Sequence, residues 1–195
     1  MRIIASVLAA ALLLAGCYPP TTTHPVGTTA GLANDPMLVG LWRAKMDSSD
    51  DDRPVYFHFL PKTDNTITVV MVQGGDKPDG DWTVAGATTV TLGANHIMNA
   101  QLQFSDSKSA DEDMARGTVP LLYRFDSAGH LSLFLMDEDA TKAAIKAHRI
   151  TGTVEEGQFG DAVITAQPKE LDAFMASKRA TALFGERFAT LSKIE

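Results

Sequence analysis

Val119-Pro120-Leu121-Leu122-Tyr123-Arg124-Phe125 and His130-Leu131-Ser132-Leu133-Phe134-Leu135-Met136 flank Asp126-Ser127-Ala128-Gly129. Leu121, Tyr123 and Phe125 share one parity, while Leu122 and Arg124 share the other. Leu131, Leu133 and Leu135 alternate with Ser132, Phe134 and Met136. An extended chain points successive side chains to opposite faces. Two period-two runs around a turn therefore specify an antiparallel hairpin.

The same period extends upstream. Asp81 to Leu92 and His96 to Phe104 read as strands around the turn Gly93-Ala94-Asn95. Asn65 to Gln73 places Ile67, Val69 and Met71 on one face and Thr68, Val70 and Val72 on the other. Both faces of that strand are apolar enough to be covered. Pro54 to Leu60 forms another strand, and Asp35-Pro36 is a turn that leads into Met37–Met46. Polar loops separate them at 47–52, 74–80 and 105–117.

Downstream the period changes. Asp137-Glu138-Asp139 precedes Ala140–Ala147, with acids first and lysine last, as a short helix favours. His148–Val154 and Gln158–Thr165 return to strand. Pro168 suits the first position of a second helix carrying Leu171, Phe174 and Met175, with Ala182-Leu183-Phe184 extending or following it. Residues 186–195 read as an irregular tail whose Phe188, Leu191 and Ile194 dock on the core. With roughly seven to nine strands and two helices, the class is mainly β: an antiparallel barrel, with a β-sandwich as the alternative.

At the other end, Arg2 precedes an apolar run from Ile3 to Ala15, laid out as a secretory signal and too short for a good membrane span. The run ends Leu13-Leu14-Ala15-Gly16-Cys17, which resembles a bacterial lipoprotein signal. That resemblance implies cleavage after residue 16, a diacylglycerol thioether on Cys17 and a further acyl chain such as palmitate on its amine. Tyr18, rather than aspartate, in the next position implies the outer membrane, with the domain in the periplasm or at the cell surface. Residues 1–16 are then the signal peptide and 17–34 a Pro/Thr/Gly-rich flexible tether reaching roughly 50 Å when extended. Residues 35–195 form one β-rich domain.

Gly40-Leu41-Trp42 at the first strand resembles the Gly-x-Trp opening of lipocalin-like barrels. This implies structural roles for Gly40 and Trp42, the tryptophan plugging the barrel floor. A barrel interior lined by Phe57, Phe59, Val69, Met71, Leu121, Tyr123, Leu133 and Leu135 is the candidate ligand cavity. The same side chains can instead fill the interior completely.

The formal net charge is -7 and the sequence holds one cysteine. No basic stripe is present, which argues against nucleic acid as a partner. A lone thiol leaves no internal disulfide. Asp47–Asp52 and Asp111–Asp113 have the hard oxygens calcium needs but not the spacing of a defined loop site. Ser105-Asp106-Ser107-Lys108 has Ser-x-x-Lys spacing without companion motifs. His24, His58, His96, His130 and His148 are scattered. The expectation is therefore no catalytic residue, no metal and no cofactor. A non-enzymatic, lipid-anchored domain would act in envelope maintenance or as an accessory through protein contacts. The alternatives are carriage of a small hydrophobic ligand in the barrel and, last, an envelope hydrolase.

Overall fold

The computed structural model describes residues 19–46, 53–74, 81–105, 108–109, 117–155 and 162–194. The signal segment, Cys17 and the acidic clusters at 47–52 and 111–113 lie outside the described residues. In chain order the elements are β1 (Thr21–Thr22), β2 (Gly40–Met46), β3 (Val55–Pro61), β4 (Ile67–Gln73), β5 (Asp81–Leu92), β6 (Asn95–Ser105), β7 (Lys108–Ser109), β8 (Val119–Phe125) and β9 (Leu131–Met136). There follow α1 (Glu138–Lys146), β10 (Gly152–Val154), β11 (Ala162–Ile164), α2 (Pro168–Met175), a 3-10 turn (Ala180–Leu183) and β12 (Phe184–Lys193).

Eight of the strands close into an antiparallel barrel. Each pairs with its neighbour in sequence, in the order β2, β3, β4, β5, β6, β8, β9 and β12, and β12 pairs back onto β2. Leu121 faces Leu135 and Tyr123 faces Leu133 in the hairpin that opens the sequence reading. Trp42 lies between Phe57 on one side and Lys193 on the other. Closure removes every sheet edge from the barrel, which a sandwich cannot do. The architecture is lipocalin-like, with a short helix inserted late in the chain.

Successive strands run in opposite directions, so the barrel has two unlike ends. Gly40, Pro61, Ile67, Leu92, Asn95, Phe125, Leu131 and Lys193 mark one end. Met46, Val55, Gln73, Asp81, Ser105, Val119, Met136 and Phe184 mark the other.

Two apolar cores share the barrel wall. The inner one gathers the inward parity of every barrel strand, among them Trp42, Phe57, Phe59, Ile67, Met98, Tyr123, Leu133 and Leu191. The outer one gathers Val90, Leu92, Ile97, Leu122 and Met136 from the opposite parity, covered by α1, α2 and the small sheet. That sheet is β1, β11 and β10, with β1 and β11 parallel. Asp137 caps α1 by accepting from the Ala140 amide at 2.7 Å. Thr141, Ala144 and Ile145 are its buried face. Leu171, Asp172 and Met175 are the buried face of α2. Each fully buried Leu or Ile contributes about 1.5–3 kcal/mol, so this layer is part of the fold rather than an ornament.

Three expectations need correction. Residues 19–34 are not a free tether but a strap packed along the barrel. Val26 and Thr22 have no exposed surface, and the Thr22 and Thr118 amides exchange hydrogen bonds at 2.8 and 3.0 Å. The tail from residue 186 is not irregular: Phe184–Lys193 is the strand that closes the barrel, so the second helix is not the last element. Its register shifts at residues 184–189, and this bulge blurs the alternation that would have announced a strand. The strand expected over 148–154 starts only at Gly152, because His148 turns the chain with φ +52°.

Candidate binding site in the barrel interior

One end of the barrel is sealed. Asp35-Pro36-Met37-Leu38 folds into a turn held by the Met37 amide on Asp35 Oδ1 at 2.9 Å and the Leu38 amide on the Asp35 carbonyl at 3.1 Å. The turn drives Leu38, which is fully buried, into the barrel floor. Trp42 Nε1 donates to the Leu38 carbonyl at 2.7 Å. The Lys193 ammonium lies 5.4 Å from the centre of the Trp42 ring. Such a contact adds a cation–π attraction to the packing. Gly40 takes φ +126°, a region closed to side-chain-bearing residues, as the chain turns from the plug into β2. The two residues of the Gly-x-Trp opening thus sit where a barrel floor needs them.

Tyr123 completes the floor. Its hydroxyl donates to Asp35 Oδ2 at 2.8 Å, and its ring stands 5.5 Å from His96 and edge-on to Phe125. Burial, and then the bond and charge of Asp35, hold this hydroxyl protonated far above the usual tyrosine range. A hydrogen bond with Thr89 acts in the opposite sense and loses.

Toward the other end the interior changes character. Ala44 and Ala189 replace large side chains there, and on the neighbouring wall Ala87 is paired directly with Ala100. Met46, Met71, Ala85, Val119 and Leu135 are apolar, face inward and are only partly buried. Phe188 joins them from the β12 bulge. The floor is filled with rings and leucines, while toward the other end the inward side chains include smaller ones and several that are only partly buried. A wall of alanines leaves room that a wall of leucines would occupy.

All eight residues named as the candidate lining belong to this one inner cluster. Phe57, Phe59, Val69, Leu121, Tyr123 and Leu133 are buried in it, and Met71 and Leu135 pack against it near the rim. They do not share one role. Phe59 and Tyr123 belong to the floor, whereas Met71 and Leu135 lie toward the other end. The alanines of β5 and β6 were not singled out, since small residues give no periodic signal of their own. A polar group also faces this region: Gln73, at the last position of β4, is buried.

The histidines do not converge. His96 bonds Thr91 at 3.0 Å, His130 bonds Asp126 at 2.9 Å in the exposed turn after β8, and His58 and His148 are exposed. Among the described residues no group of three His, Cys, Asp or Glu is placed to hold a metal ion. Ser105 and Lys108 are paired across the β6–β7 hairpin. A shallow cavity of about 390 Å³ lies outside the barrel, between Ile145, His148, Ile150 and Gly152. No helix among the described residues is long and apolar enough to cross a membrane. Comparison with family models, curated proteins and solved structures finds no match for this chain.

Proposed function

We propose that this is a non-enzymatic, lipid-anchored envelope protein whose barrel takes up one apolar chain of an amphiphile in a cup above its floor. The observation that carries the reading is the change along the barrel: a ring-filled floor at one end, and toward the other inward apolar side chains that are smaller or only partly buried. Binding sites of this kind are mostly apolar and largely preformed. The anchor is the acylated Cys17 implied by the lipoprotein-like signal, and two or three chains on it would hold the domain firmly at the outer membrane.

A fluorescent C18 fatty acid titrated into a chain of residues 19–195 tests the cup. Saturable one-to-one binding is expected. Ala100→Trp should weaken it at least tenfold while leaving the circular dichroism and the unfolding midpoint close to those of the parent. Absence of saturable binding by the parent would sink the reading.

One observation keeps a second reading in play, in which the domain is an accessory acting through protein contacts. Of the four large apolar side chains well exposed among the described residues, three, Met37, Leu60 and Ile194, belong to the sealed end, and Val72 lies near the other. A pull-down whose partner is lost in Met37→Asp would favour it.

A further inference from the structure

Barrel closure leaves an edge free in the second layer. In the small sheet β11 lies between β1 and β10, and Thr22 of β1 is bridged onward to Thr118, just before β8. β10 is paired on one side only, and among the described residues no strand lies beyond it. Gly152 pairs with Ile164, Thr153 with Val163 and Val154 with Ala162. The Thr165 amide donates to the Thr151 carbonyl at 3.0 Å. Hydrogen-bonded and non-bonded pairs alternate along an antiparallel ladder. The amides and carbonyls of Gly152 and Val154 therefore point away from β11, toward the free edge. The Thr151 amide is already held by Glu170 Oε1 at 3.0 Å, so the open row begins at Gly152.

The cavity of about 390 Å³ opens along this edge, between β10 and the end of α1. Every residue that lines it lies between Ile145 and Val154, within the described chain. Ile145, Ile150 and Val154 make it apolar, and Lys146 and His148 stand exposed at its rim, with Arg149 exposed beside them in the chain. Lys142, one turn earlier on α1, is paired with Glu138. Lys146, His148 and Arg149 have no carboxylate within ion-pair distance among the described residues. Glu170 is engaged by the Thr151 amide and hydroxyl, and Glu155 is exposed past the end of β10. The helix dipole favours cations at the last turn of α1, but it accounts for neither the cavity nor the open edge. The backbone at the rim adds a further sign. The His148 amide bonds the Ile145 carbonyl and the Arg149 amide the Ala144 carbonyl, a helix ending whose φ of +52° at His148 ordinarily belongs to glycine. A histidine is kept there at a cost in backbone strain, with its side chain at the cavity.

We propose that this edge and cavity bind an extended acidic peptide of another protein by strand addition. Its backbone bonds Gly152 and Val154, one apolar side chain enters the cavity, and a neighbouring carboxylate meets Lys146, His148 and Arg149. In strand addition the main-chain bonds give affinity, and pockets for alternate side chains give selectivity. β10 is three residues long, too short to hold a stray strand by its backbone alone. The cavity and the cations then decide which strand stays. The inference depends neither on what the barrel interior holds nor on the anchor.

The test is fluorescence anisotropy of the full chain with labelled octapeptides in which threonine and aspartate alternate with valine, leucine or phenylalanine. At least one should bind saturably and one-to-one, and at least tenfold more tightly than its counterpart with lysine for aspartate. N-methylation of one alternate set of its residues should weaken binding at least tenfold, while N-methylation of the other set leaves it within threefold. Exchange of the Gly152 and Val154 amides should slow at least tenfold when the peptide saturates. Lys146→Glu combined with Arg149→Glu should weaken binding at least tenfold with the unfolding midpoint unchanged. His148→Gly should raise the midpoint and weaken binding at least threefold. Ala100→Trp, inside the barrel, should leave peptide binding as it is. The proposal is overturned by absence of saturable binding with all three peptides, by equal affinity for the lysine forms, or by N-methylation effects that ignore parity. Loss of binding in Ala100→Trp would overturn it too, since the peptide would then occupy the barrel.

Discussion

Tyr123 is the residue where burial, hydrogen bonding and charge all act on one proton. Its raised pKa means that the folded chain keeps a proton that the unfolded chain releases near pH 10. Above that pH the unfolded state binds fewer protons, so stability falls as pH rises. Below it the hydroxyl is neutral in both states and contributes no slope. In Tyr123→Phe the alkaline fall from pH 10 upward should be shallower than in the parent. At neutral pH the variant should lose about 1–2 kcal/mol with the Asp35 bond. Urea unfolding from pH 7 to pH 11 measures both effects, and an unchanged alkaline slope would contradict the account. Residue identity alone did not announce this role. The hairpin alternation put Tyr123 inside, but Asp35 lies 88 positions away and belongs to a turn with no periodic signal.

The strap is the element whose behaviour follows least from its composition. It contains Pro, Thr and Gly, and only Val26 is a large apolar residue buried completely. Its attachment is made by backbone groups, and the acceptors it needs lie 73 positions away on Asn99 and 145 away on Asp172. Nothing in a local window encodes that. Gly27, at φ +93°, is the point where the backbone presses on β5: a Cβ there would stand about 2.5 Å from Val90. Gly27→Ala should therefore cost about 2–4 kcal/mol. Asp172→Ala, which strands the buried Gly27 amide, should cost a similar amount, and Asp172→Asn clearly less because one acceptor oxygen remains. Hydrogen exchange is the sharper readout: protection at Val26, Gly27 and Thr29 should collapse in Asp172→Ala while β3 and β4 stay protected. The strands show the opposite case. From β3 to β9 the barrel strands keep one parity inside over most of their length, so their spans were legible to within a residue or two, while β2 starts three residues late, after the Asp35–Leu38 turn; β12 was not legible, because its bulge puts Phe188 and Ala189 in succession against the same core.

At the scale of the molecule, the barrel is a single closed meander wrapped on one side by a second layer. Closure makes its parts interdependent. Leu191 is fully buried on the strand that joins the first barrel strand to the seventh. Leu191→Ala should cost about 2–5 kcal/mol and lower amide protection in β2 and β9 together. Independent loss of the two strands would show that the ring does not unfold as one unit. The class, the strand count and the inward residues could be read in advance because a half-buried antiparallel sheet writes its packing into alternate positions. Which end is sealed could not, since that depends on which turns fold inward.

The position of β12 has a further bearing on how this chain comes to be. The strand that seals the ring is the last stretch described, and Lys193 must find Trp42, a partner synthesised some 150 residues earlier. Hairpins from β2 to β9 can form as each emerges, but they stop at a curved sheet with two bare edges. That unsealed sheet persists until the ten residues Phe184–Lys193 are available to pair. Through that interval the nascent domain offers two bare edges to any stray strand, and its maturation time is set by β12.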